Sequence, residues 1–186
     1  ETRRQGLREG VAPEQCTYAA LEQAALSAPP FVSFIDPDAP QFGRPGDLPG
    51  QVRAFCQATG QPVPATMGEV MRCLYQSLAM KYRYAKEQIE SCTGKRYHKI
   101  YMVGGGTKDT LLCQMTASAC GCQVSAGPTE ATVLGNAAVQ LMAMGVFDSL
   151  QQARAAIAQS EPIRRYEPDQ PEAWDEAYRR FCQIVK

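Results

Sequence analysis

Neither sign of charge is in excess in this chain, with 19 Lys and Arg against 19 Asp and Glu. A balanced chain carries no field that recruits nucleic acid or an anionic membrane. No run of about 18 apolar residues occurs, so no helical membrane span is expected. Histidine is nearly absent: His98 is the only one, and Cys120-Gly121-Cys122 has no second cysteine pair at ligand spacing. A zinc site is therefore not indicated. Repeats and low-complexity tracts are lacking too. The N-terminal run Glu1-Thr2-Arg3-Arg4-Gln5 has neither an initiator Met nor the pattern of a signal peptide, which reads as a cut or processed start. The location read from this is cytoplasmic.

What is present is ordinary for a soluble globular protein, 45% apolar and 20% charged over 186 residues. That length allows one domain with a real core, or part of a larger two-domain protein. The eight cysteines read as reduced thiols serving as small apolar side chains. Cys56 and Cys73 fall on adjacent predicted helices joined by a proline-containing loop, close enough in sequence to leave a disulfide open.

Along the chain, residues 1–9 have helical character but are too short and charged to hold alone. Thr17 can cap a helix with Tyr18, Leu21, Ala25 and Leu26 on its apolar stripe, ended by Pro29-Pro30. Phe31 to Ile35 reads as a strand or extended segment. Four prolines and two glycines between Asp36 and Pro49 make residues 36–49 an ordered surface loop. Asp36, Asp38 and Asp47 lie in it without a partner motif. A short helix follows at 51–58. Thr66 and Glu69 form a capping box for the longest helix, 67–92. On it Met67, Met71, Leu74, Leu78, Tyr82, Ala85 and Ile89 alternate at gaps of four and three, the spacing of one core-facing stripe. Beyond residue 130 come an apolar helix rich in small residues, expected to pack closely on a sheet, and a helix at 150–159 capped by Ser149. A polar connector at 161–171 precedes an amphipathic helix at 172–185 that carries Trp174, Ala177, Tyr178 and Phe181.

The most informative stretch runs from His98 to Asp109. Ile100, Met102 and Val103 read as a short buried strand, which ends in Gly104-Gly105-Gly106 and turns into a helix bearing Leu111, Leu112, Met115 and Ala119. Glycines let a ligand approach the backbone, and free N–H groups at a helix start favour phosphate. The P-loop spacing is excluded, because Lys108 stands two residues after the last glycine and Asp109 follows it. The dinucleotide fingerprint fails as well, because Asp109 occupies its third glycine position. Taken alone, three glycines are equally consistent with a turn that binds nothing.

A second strand, 122–126, comes next, then Gly127-Pro128-Thr129-Glu130-Ala131 and Leu134-Gly135-Asn136 opening another helix. The order strand, Gly-Gly-Gly, helix, strand, turn, Glu-Ala-x-x-Leu-Gly-Asn resembles the C-terminal part of the FGGY carbohydrate kinases, two-domain enzymes of the actin/hexokinase-like superfamily. Gly104 to Gly106, Leu111 to Gln114, Ala119 to Gly121, Ala126 to Ala131 and Leu134 to Asn136 look most like their rhamnulokinase subgroup. So do Cys56 to Pro64 and Arg72 to Ala79. The resemblance is continuous over about residues 30–160.

The resemblance implies an α/β, ribonuclease-H-like C-terminal kinase domain, helix-rich and entered after its first three antiparallel strands. One partial domain is then expected over residues 1–186, with a sheet edge and apolar helix faces left uncovered and a tendency to self-associate. It also implies ATP with Mg²⁺ on its phosphates and a ketose substrate such as L-rhamnulose. Gly104, Gly105 and Gly106 would touch the nucleotide through their backbone. Thr107, Asp109, Glu130, Gly135 and Asn136 would support the nucleotide site or the hinge. For Glu130, a carboxylate favoured by the helix dipole is an equal reading. No catalytic base carries over, because the family's motif for it precedes this chain, and the 186 residues alone are expected to be inactive. The alternatives are a non-enzymatic helical interaction module and another actin-like ATPase domain. Leu134-Gly135-Asn136 and the Cys56 to Ala79 match favour the sugar kinase.

Overall fold

The computed structural model describes residues 2–8 and 12–185. Most of its helices start where the sequence offers a cap. Thr17 accepts from the Ala20 N–H ahead of α2 (Tyr18–Ser27), and α1 (Thr2–Arg8) lies before it. Asp47 caps α3 (Leu48–Ala58). The capping box of α4 (Met67–Thr93) is complete: Thr66 Oγ1 accepts from the Glu69 N–H at 3.2 Å, and Glu69 accepts from the Thr66 N–H at 2.9 Å. Gly94, left-handed at φ 68°, ends it. Strand β1 (Lys99–Met102) follows, then α5 (Thr110–Cys120), β2 (Gln123–Ala126), α6 (Ala131–Ala143) and α7 (Leu150–Ser160). Strand β3 (Arg164–Tyr166) and α8 (Pro171–Phe181) complete the order.

The sheet runs β1-β2-β3, with β1 and β2 parallel and β3 antiparallel to β2. Ile100 stands opposite Val124 and Met102 opposite Ala126, so α5 is the crossover between the parallel strands. The segment expected as a plain connector, 161–171, thus contains the third strand. Three charged or bulky residues in a polar, proline-flanked run give no alternation from which to read it.

Helix α5 is buried nearly all round, packed against α4 and α8. One core cluster joins Phe34, Met80, Leu111, Met115, Trp174 and Phe181. The burial of Trp174, Ala177, Tyr178 and Phe181 agrees with the amphipathic reading of α8. A second cluster holds Ile35, Val52, Phe55, Cys56, Val70 and Cys73. Both cysteines there are thiols, not a disulfide. The Cys73 S–H hydrogen-bonded to Cys56 lowers the Cys56 pKa to about 7, while the same pairing and burial raise that of Cys73.

Three expectations need correction, and one resolves between its two readings. Of a strand or an extended segment at 31–35, the structure shows no strand. Phe31 turns at φ 58°, and side chains supply what a neighbouring strand would. Gln61 both donates to the Phe34 carbonyl and accepts from its N–H, each at 2.8 Å, and Ser77 Oγ accepts from the Ile35 N–H at 2.9 Å. The stripe of α4 is the core face only in its first half, where Met71 and Leu74 pack half-buried against the two core clusters. The buried positions of the helix are Gly68, Val70, Cys73, Gln76, Ser77, Ala79, Met80 and Glu90, whereas Tyr82 is 42% and Ile89 52% exposed. Helices α2, α5 and α8 pack on α4, and the short sheet does not cover the stripe. For the same reason β1 is a half-open edge strand, with Tyr101 70% exposed. Finally, α6 is not sandwiched against the sheet: Ala138 is its one buried residue. Val133 and Val139 stay in solvent.

Candidate nucleotide site

The loop after β1 takes its shape from one glycine. Gly104 sits at φ 82°, a left-handed conformation that a side chain disfavours, and the chain then closes a 3₁₀ turn over Gly105–Lys108. Thr107 fixes the turn: its N–H reaches the Gly104 carbonyl at 3.1 Å and its hydroxyl reaches the same oxygen at 2.7 Å. Thr107 is buried, so this bond is shielded from water.

The other two glycines have no such internal reason. Neither Gly105 nor Gly106 has a positive φ, and a Cβ built on either meets nothing within 4 Å. Their backbone stands at an exposed surface, where an added Cβ would meet only open space. The N–H groups that open a 3₁₀ or α turn lack internal acceptors, and here they stand at that open surface. Such a surface suits the close approach of a phosphate or a flat ring.

The second turn of the motif is tied to the first. The Gly104 N–H donates to the Pro128 carbonyl at 3.0 Å, and the Gly127 N–H to the Met102 carbonyl at 2.9 Å. The Thr107 and Thr129 hydroxyls lie 3.3 Å apart. Residues 104–107 and 127–129 therefore form one rigid corner at the C-terminal ends of β1 and β2. Glu130 follows, exposed, at the N-cap position of α6, and its side chain makes no capping bond. Its carboxylate stands at a helix start, where the dipole favours it. Gly135 and Asn136 lie more than a turn along α6, Asn136 exposed and Gly135 with open space at its Cβ position. The structure thus brings Gly104 to Thr107 and Thr129 together, places Glu130 at the margin, and sets Gly135 and Asn136 apart on the helix.

Asp109 has a structural task. Its Oδ1 accepts the Leu112 N–H at 2.9 Å as the cap of α5, and its Oδ2 accepts the Tyr75 hydroxyl at 2.8 Å. Burial, and then the Asp109 carboxylate, push the Tyr75 phenol pKa well up, so it remains a donor. Sequence reading missed Tyr75 and Thr129. Tyr75 lies 34 residues from Asp109, and no local spacing announces the pair. Around the loop run separate depressions rather than one closed pocket: Asp109 lines one, Gly106 another, and Thr107 with Thr129 a third of about 80 Å³. Among the described residues no group of three or more His, Cys, Asp or Glu side chains could hold a metal, and no helix is long and apolar enough to cross a membrane.

The model of the FGGY family of carbohydrate kinases, C-terminal domain, matches residues 2–144. A rhamnulokinase of Bacteroides thetaiotaomicron is 38% identical over 170 residues, covering 91% of this chain and 35% of that protein. A rhamnulokinase of Enterococcus faecalis is 37% identical over 155 residues, 82% of this chain and 31% of that protein. Among solved structures, the xylulose kinase of Rhodospirillum rubrum superimposes with a TM-score of 0.63 at 21% identity, over 98% of this chain and 36% of that one. The Plasmodium falciparum glycerol kinase, solved with ADP, gives 0.64 at 14% identity over the same shares, 98% and 36%. At such identities the likeness is one of fold, and the chain spans about a third of the length of these relatives. The fold is the kinase fold of the actin/hexokinase-like class expected from the sequence. The corner of two parallel strands, its glycine turn and the family match over most of the residues lead to one conclusion: the chain belongs to the FGGY family of carbohydrate kinases and corresponds to their C-terminal domain.

Proposed function

We propose that this chain is the nucleotide-side part of an ATP-dependent kinase that phosphorylates a ketose such as L-rhamnulose. The observation that carries the nucleotide role is the pair Gly105 and Gly106, whose Cβ positions are open though neither backbone conformation requires glycine. Two rhamnulokinases at 37–38% identity support the sugar. ATP would lie against the Gly104 to Gly106 backbone, with Thr107 and Thr129 holding the corner rigid beneath it. Asp109 would keep the helix start in place through its cap and its bond from Tyr75. Glu130, Gly135 and Asn136 would act at the margin or hinge.

Mg²⁺ would come with the ATP and would supply countercharge for phosphoryl transfer, and among the described residues of this chain no group of three or more His, Cys, Asp or Glu side chains would hold it. The aspartate base on the sugar hydroxyl would come from the other domain of the kinase, and domain closure would exclude water. A cytoplasmic setting, rich in ATP and reducing enough for eight thiols, suits this reading. Family membership favours it over an interaction module.

The test separates the part from the whole. Purified 186-residue chain should transfer no phosphoryl group from ATP to L-rhamnulose, because half the cleft is elsewhere. A polypeptide of the relatives' length that contains it should do so in an assay of ADP release. Turnover by the 186 residues alone, or none by the longer polypeptide, would overturn the proposal.

A further inference from the structure

Asp109 closes the glycine turn from its far side. Its backbone N–H donates to the Gly106 carbonyl at 3.2 Å, so a shift of Asp109 is passed on to the third glycine. Its side chain is held at two points. Oδ1 accepts the Leu112 N–H at 2.9 Å as the cap of α5, and Oδ2 accepts the Tyr75 hydroxyl at 2.8 Å. Tyr75 comes from α4, and its ring packs half-buried against the core cluster of Phe34, Met80 and Trp174. The hydroxyl that reaches Asp109 is therefore carried on a rigid base. Thr110, the next residue, is tied to α2 by its bond to Glu22 at 3.3 Å. The near end of the turn is fixed by the Gly104–Pro128 bond, so the two ends have separate supports.

Tyr75 and Asp109 are matched in donors and acceptors. A carboxylate offers two acceptor oxygens and no donor. The cap uses one of them, and Tyr75 supplies the donor for the other. An amide at position 109 would have a single acceptor oxygen, which the cap alone would occupy. The hydroxyl of Tyr75 thus answers to the carboxylate, not to the cap. Both side chains line one depression of about 580 Å³, which Arg3 and Arg4 also line. With cations on that wall, what Tyr75 fixes is the direction of Oδ2 rather than its charge. The same depression gives an amide NH₂ room to meet water instead of a hydroxyl.

We propose that Tyr75 is a positioning residue for the nucleotide turn: its hydroxyl orients the Asp109 carboxylate and, through the Asp109–Gly106 bond, the backbone offered to ATP. The inference rests on the nucleotide reading of that turn. Its test is steady-state kinetics of the polypeptide of the relatives' length, with Gly105→Val as the reference for the reading itself. Tyr75→Phe should raise the KM for ATP about fivefold, the net worth of one hydrogen bond, and leave kcat and the KM for the sugar within about twofold. Adding Asp109→Asn to Tyr75→Phe should bring the KM for ATP back to within about twofold of the unaltered enzyme, because the amide has no second acceptor to satisfy. A ring that served packing alone would gain nothing from that second change. Circular dichroism melts check that each variant is folded. An unchanged KM for ATP in Tyr75→Phe, where Gly105→Val raises it, overturns this inference and leaves the nucleotide reading standing. So does a double variant no better than Tyr75→Phe. No response to Gly105→Val removes the reading and this inference with it.

Discussion

Glu90 joins the end of α4 to the approach to β1. Its carboxylate accepts the Tyr97 N–H at 2.8 Å and pairs with Lys86 at 2.9 Å and Arg96 at 3.1 Å. These partners, the Tyr97 N–H foremost, hold its pKa down to about 2, against an ordinary 4.5. A carboxyl lowered on folding contributes stability that is fully present above its unfolded pKa and lost as pH falls toward the folded one. Acid titration from pH 5 to 2 should therefore destabilise the protein more steeply than it destabilises Glu90→Gln, followed as the urea midpoint at each pH; identical slopes would show that the carboxylate does no such work. Tyr97 lies seven residues from Glu90 across a helix end, so nothing in the local pattern suggested this lock. In the glycine run Gly104 is required by its φ, whereas the fold itself places no such requirement on Gly105 or Gly106.

Helix ends were legible because capping is local: Thr17, Thr66 with Glu69, and Ser149 all cap where the sequence places them. Helix faces were less so. The 3.6-residue period of α4 identified an apolar stripe but not which elements of this chain would pack on it, because burial depends on tertiary neighbours. The fully buried side of α4 instead mixes Val70, Cys73 and Met80 with small residues, Gly68, Ser77 and Ala79, that allow close approach. At Gly68 the contact with α2 is closest: an added Cβ would stand 2.5 Å from the Ala24 carbonyl oxygen. Alanine is worth about 1 kcal/mol over glycine inside a helix, but here it must push α2 away, an overpacking cost of roughly 1–3 kcal/mol. Gly68→Ala should thus lower the urea midpoint, whereas a rise would mean that α2 yields easily. The third strand was not legible, since three residues held by pairing with β2 carry no pattern of their own.

At the scale of the whole molecule, the uncovered second half of the α4 stripe and the open edge of β1 lie on one continuous surface, where Tyr82, Ile89, Tyr101 and Val103 all stand in solvent. An apolar surface of this kind beside an unpaired strand edge favours association. The purified chain is expected to be oligomeric at micromolar concentration, with light scattering as the check; a clean monomer with a cooperative melt would mean that the surface needs no cover. If the Gly104–Gly106 turn serves the nucleotide as proposed, a substitution there must act on ATP before it acts on the sugar. Steady-state kinetics of the polypeptide of the relatives' length, with and without Gly105→Val, test it most directly. A branched side chain on the turn should raise the KM for ATP about tenfold or more and leave the KM for the sugar within about twofold. An equal rise in both constants, or no change in either, would contradict the claim and make the turn structural.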